Sequence, residues 1–125
     1  MKRFSFVVAL IIVAAMALAA CGAPATPEGP QGDAAKGKTN FATVCSSCHG
    51  PDAKGMPGLG KDLTVSEFVK SQTNAQMVAF LQVGRPATDP ANTVGVDMPP
   101  RGGNPAFTDQ DLADIVAFLR TINNP

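Results

Sequence analysis

Cys45, Ser46, Ser47, Cys48 and His49 stand in a row. Cysteines three apart fall on neighbouring positions of a helical turn, so their sulfurs share one face. Two such thiols can add to the two vinyl groups on one edge of a haem, giving two thioether bonds. The histidine that follows offers an imidazole nitrogen to the iron. C-x-x-C-H is the attachment pattern for c-type haem. Two other chemistries share C-x-x-C. A structural zinc site takes four ligands, but the chain has one histidine in total and one further cysteine, Cys21. Zinc would need a carboxylate or a second subunit. A redox dithiol expects a strand-helix-strand setting, and no such pattern flanks Cys45.

A haem iron also has a second axial position. With His49 the sole histidine, a second imidazole from the same chain is excluded. Beyond the N-terminal region the sulfur candidates are Met56, Met77 and Met98. Met77 falls in an apolar helical stripe and reads as core. Met56 lies in the loop that must bring an acceptor to the His49 ring. Met98 lies in a long segment rich in proline and glycine, followed by Pro99 and Pro100, which stiffen the backbone. A methionine paired with histidine raises the potential of a haem. Met98 is therefore the expected ligand; the alternative is an ordinary loop methionine.

The elements that position these residues are helical. Asp33 is placed to cap a first helix, with Phe41, Val44 and Cys45 on one face. Gly37, one turn before Phe41, suits a close helix crossing or a weak helix end. Residues 50–60 have loop composition, and a metal-bound imidazole usually donates its other N–H to a carbonyl or carboxylate. A backbone carbonyl of that loop is the expected acceptor. Thr64 to Glu67 and Thr73 to Gln76 read as capping boxes opening two short helices, the second ended by Gly84. Residues 84–107 show no period, and so long a loop needs a functional reason. Thr108 opens the last helix, with Leu112, Ile115, Val116 and Leu119 at helical spacing. No strand pattern appears, so the expected class is all-α.

The N-terminal region is of another kind. Lys2 and Arg3 precede an apolar run to Ala20, closed by Leu18-Ala19-Ala20-Cys21. This is the layout of a secretory signal peptide, and the closing residues resemble the bacterial lipobox. That resemblance implies cleavage before Cys21 and lipid on Cys21. The alternative is an uncleaved anchor, for which the run is at the short limit. Both place the domain outside the cytoplasm and tethered to membrane. Residues 21–32 read as a Pro/Gly-rich tether, leaving 33–125 as the domain. Without Lys2 and Arg3 the acidic residues outnumber the basic by two, and nothing in the balance suggests nucleic acid.

Taken together, these residues resemble a class I monohaem cytochrome c carried as a bacterial lipoprotein. The matching pieces are Gly37 and Phe41, then Cys45-Ser46-Ser47-Cys48-His49, Pro57 and Leu59, Met98-Pro99, and the Leu112–Phe118–Leu119 helix. The resemblance implies a small all-α cytochrome c fold of about four short helices, with long loops around one covalent haem c. It implies that Gly37 and Phe41 cross the last helix near Phe118. Pro57 supplies the carbonyl for His49, Met98 is the sixth ligand, and Arg85 pairs with a haem propionate. It implies an electron carrier rather than an enzyme, on the extracytoplasmic face of the bacterial cell envelope. Its partners would be a quinol-oxidising complex (cytochrome bc type or alternative complex III) and a terminal oxidase or photosynthetic reaction centre. Two other functions fit the same residues: a gas-binding or sensory cytochrome with an open sixth position, or a fixed haem subunit of a larger membrane oxidoreductase complex.

The Cys21 reading is tested by mass spectrometry of the mature N terminus. A chain beginning at lipid-modified Cys21 is expected, and Cys21→Ser should abolish the modification. An unmodified Met1 on the mature wild type would rule it out.

Overall fold

The computed structural model describes residues 29–123. The expected signal segment 1–20, Cys21 and the first part of the expected tether lie outside the described residues. Five α-helices follow: α1 (Ala34–Val44), α2 (Ser46–His49), α3 (Glu67–Ser71), α4 (Asn74–Val83) and α5 (Asp109–Ile122), with a 3-10 turn at Pro100–Gly103. No strand occurs among the described residues, and the all-α expectation holds.

Local chemistry sets the helix starts. The Asp33 carboxylate accepts from the amides of Ala35 and Lys36 at 2.9 and 3.2 Å. These bonds, that from Lys36 foremost, hold the carboxyl below the usual range. Thr73 with Gln76, and Thr108 with Asp111, form complete capping boxes. Each satisfies two amides that the first turn leaves without partners. One expected cap moves. Ser66, not Thr64, caps α3, accepting from the Val69 amide, while the Thr64 hydroxyl donates to Asp62 at 2.6 Å.

The fold is held by α1 lying across α5, the most extensive helix contact among the described residues. Gly37 makes it possible, since a Cβ there would sit 1.8 Å from the Asp114 carbonyl oxygen. One turn on, Phe41 meets Phe118 with ring centroids 5.4 Å apart. Leu112, Ile115, Val116 and Leu119 of α5, Val69 of α3, and Met77, Val78 and Leu81 of α4 complete the buried core. Met77 is 2 % exposed, in keeping with its reading as core.

Arg120 clips the middle helices to α5. Its guanidinium donates to the carbonyls of Val69 and Gln72 and, through Nε, to Asn74 Oδ1 at 3.0 Å. The carbonyl groups at the end of α3 would otherwise lack partners. The last residues of the expected tether also touch the domain. The Gln31 carbonyl accepts from Gln110, and Gly29 and Gly32 lie on α4 and α5.

The crossing gives a prediction whose sign is informative. Glycine to alanine in an exposed helix stabilises by up to ~1 kcal/mol. Gly37→Ala should instead destabilise by about 3 kcal/mol, because the helices must part to admit the methyl. Denaturant unfolding measures it, and a stabilised variant would contradict the crossing.

Candidate cofactor site

A cavity of about 470 Å³ opens inside this frame, and Cys45, Cys48, His49, Arg85 and Met98 all line it. Phe41, Phe68, Phe80, Leu81 and Ile115 give it apolar walls. Four of the residues read from sequence as chemical are thus brought to one place, with Arg85 beside them. Pro57 is not among the lining residues.

The two cysteines arrive on continuous helical backbone. The Cys45 carbonyl accepts from the amides of Cys48 and His49 at 3.2 and 2.9 Å, so the pentapeptide is wound into the turn its spacing requires. Both cysteines are half-buried, and no disulfide joins them. Burial pushes the Cys45 thiol up to about 11. Before haem attachment such a thiol is a neutral sulfur at neutral pH, suited to an apolar wall.

His49 is oriented by the loop that follows it. Gly55 N–H donates to the His49 carbonyl at 2.7 Å, and Leu63 N–H to Ala53 at 2.8 Å. The chain then returns against the histidine at Gly60, where a Cβ would stand 2.5 Å from the Cys48 carbonyl oxygen. The next residue supplies the partner: the Lys61 carbonyl lies 2.9 Å from His49 Nδ1. This corrects the expected Pro57 carbonyl. Pro57 sits exposed in the tight turn between Met56 and Gly60, while glycine at position 60 is what lets the backbone reach the ring. With Nδ1 engaged as donor, Nε2 is the nitrogen left for a metal.

Met98 is held by backbone. It exchanges two hydrogen bonds of 2.8 Å with Arg85, in an isolated antiparallel bridge. Gly84 packs beneath the bridge at φ 73°, and a Cβ there would be 2.2 Å from the Met98 carbonyl oxygen. The loop between the bridged residues is pinned from within by Asn92. Its Nδ2 donates to the carbonyls of Pro86 and Val96, and its Oδ1 accepts from the amides of Val94 and Gly95. Sequence reasoning found no order in this loop, because one asparagine using all its bonds leaves no periodic signal. Beyond Met98 the 3-10 turn brings Gly102 back to Val44 and Cys45, closing the ring of residues around the cavity.

Arg85 lays its guanidinium over Phe68 and Phe80, 4.7 and 4.9 Å from the ring centroids. Its Nε is 3.4 Å from Asp89 Oδ2, yet it is buried without an aligned hydrogen-bond partner. A buried donor with no acceptor is costly. It suits a site that receives an anionic group.

The zinc alternative finds no support in this geometry. Among the described residues no three of His, Cys, Asp and Glu come together as metal ligands.

A family profile described as cytochrome c matches residues 34–123. The chain belongs to the cytochrome c family. Its cofactor is covalently bound haem c, and its activity is electron transfer through that haem, as a carrier for redox partner proteins. Cytochrome c-555 of Chlorobaculum thiosulfatiphilum is 29% identical over 87 residues, covering 70% of this chain and 93% of that protein. No solved structure matches the chain. The residues present fit the haem on structural grounds as well. The cavity is apolar, the two thiols and His49 share one turn, His49 is oriented through Nδ1, and Arg85 has an unsatisfied donor.

Gly84→Ala should break the support of Met98. The methyl is strained at positive φ and collides with the Met98 carbonyl, at a cost of about 1–3 kcal/mol. Exchange of the Met98 amide should accelerate in step. Unchanged exchange would show that the bridge tolerates a side chain.

Proposed function

We propose that this cytochrome is a membrane-tethered electron carrier with closed His49/Met98 ligation. Cys45 and Cys48 would hold the haem by two thioether bonds, and His49 Nε2 and Met98 Sδ would ligate its iron. Arg85 pairs with a propionate. The bound haem would supply one-electron chemistry, and these residues would hold its iron unchanged between oxidation states. The protein's own groups hold that geometry still. The Lys61 carbonyl fixes the His49 ring, the Arg85 bridge fixes Met98, and the walls of Phe41, Phe80 and Ile115 keep water out. Fixed ligands and a dry site leave little to reorganise when charge moves, and a thioether facing an imidazole favours a high potential.

Lipid on Cys21 anchors the protein at the extracytoplasmic face of the cell envelope. It takes electrons from a quinol-oxidising complex, of cytochrome bc or alternative complex III type, and passes them to a terminal oxidase or a photosynthetic reaction centre. The observation that carries this reading is the shared cavity. Among the described residues Met77 and Met98 line the same space as the C-x-x-C-H turn; Met77 is packed in the core on α4, and Met98 is held at the wall by a paired backbone bridge.

Met98→Ala should remove the weak far-red band of methionine-ligated ferric haem, lower the reduction potential and open the ferrous iron to carbon monoxide. Met56→Ala, in the turn beside Pro57, should leave all three nearly unchanged. If Met56→Ala abolishes the band and Met98→Ala keeps it, the ligand is misassigned. If neither variant matters and the wild type binds carbon monoxide, the protein is a gas-binding cytochrome instead.

A further inference from the structure

The Pro/Gly-rich stretch ahead of α1 has the composition of a free tether, but its last four residues are seated on the domain. Gly29 lies on the first turn of α4, where a Cβ would meet the Ala75 backbone at 2.7 Å. Gly32 lies on α5, where a Cβ would meet the Ala113 carbonyl oxygen at 2.1 Å. Between them, the Gln31 carbonyl accepts from Gln110 Nε2 at 2.9 Å. The same amide nitrogen donates to Asp114 Oδ1 at 2.9 Å. Asp114 is only 3 % exposed, and it also accepts the Asp33 amide at 2.8 Å. Two glycines set backbone directly on helix, and a buried carboxylate ties the segment to the start of α1. A spacer selected only for reach needs none of this.

The direction of the helices gives the seat its consequence. α1 runs from Asp33 beside the seat to Cys45 at the cavity. α4 runs from Asn74 beside the seat to Gly84, which supports Met98. At 1.5 Å per residue these helices are about 16 and 15 Å long. Seat and cavity rim therefore lie at opposite ends of two helices.

We propose that residues 29–32 form a strap that fixes where the anchored N terminus leaves the domain: at the pole made by the first turns of α1 and α4, away from the cysteine rim. The membrane part of this rests on the anchored reading of Cys21; the strap itself does not. Attachment at that pole turns the rim away from the lipid. The partner it fits offers its donor or acceptor group above the bilayer surface, not within it.

Nuclear magnetic resonance of the full-length, haem-loaded protein in nanodiscs tests both parts. The Asp33 amide should exchange at least ~10-fold more slowly than in a free chain, as expected for a buried hydrogen bond. Gly32→Leu should remove that protection while the haem stain and visible spectrum stay unchanged. Gln110→Ala, which leaves the backbone contacts intact, should reduce it in part. Free-chain exchange in the wild type, or full protection in both variants, overturns the strap. With nitroxide-bearing lipids, amides 73–76 should broaden more than amides 44–48. Equal or reversed broadening overturns the orientation. A wild-type protein that does not associate with nanodiscs overturns the anchored reading instead, and the exchange data still decide the strap.

Discussion

α1 and α5 touch backbone to backbone at Gly37, and both halves of the site depend on that contact. The C-terminal end of α1 carries Cys45, from which the Cys48–His49 turn continues. α5 supplies Ile115 and Leu119 to the cavity wall and, through Arg120, holds the end of α3 and the start of α4. α4 in turn ends at Gly84, the support for Met98. Separating the crossing by a methyl group would loosen the attachment turn, the wall and the Met98 segment together. A domain this small has no second core to compensate.

The same device recurs where the chain must pass close to the site. Gly60 presses the loop onto Cys48 and delivers the Lys61 carbonyl to His49. Backbone carbonyl and backbone bridge, rather than side chains, orient the two candidate iron ligands. Such contacts are short and carry no rotamer freedom, so the ligands are held without ordering long side chains. Lys61 joins the two sides of the site again, since its ammonium reaches the Ala91 carbonyl of the Asn92-pinned loop at 3.4 Å.

What the sequence made legible follows from where the information sits. The C-x-x-C-H turn, the caps at Asp33, Thr73 and Thr108, and the α5 stripe depend on residue type at fixed spacing, and all were readable. Gly37 by itself left a close crossing and a weak helix end equally open, and only the resemblance to class I cytochromes c pointed to a crossing with the last helix near Phe118. The His49 acceptor was not, because every residue has a carbonyl and only the path of the chain selects Lys61 over Pro57. The order of residues 84–107 was hidden for a related reason: it comes from one bridge, one asparagine and one 3-10 turn, none of them periodic. Ser66 displaced Thr64 as a cap because Asp62, two residues before Thr64, captured its hydroxyl. The strap went unread because glycine and proline signal a linker equally well when they are packed.

The central claim is that one haem sits between the Cys45–His49 turn and Met98, with both axial positions closed. Proton nuclear magnetic resonance of the reduced protein, with methionine methyl groups selectively labelled, tests it most directly. A ligand methyl lies over the haem face, where the ring current shifts it far upfield. One strongly shifted methyl signal is expected, and it should be that of Met98, with Met56 and Met77 near their ordinary positions. A reduced spectrum with no such signal, or with the shifted methyl assigned to Met56 or Met77, would contradict the account.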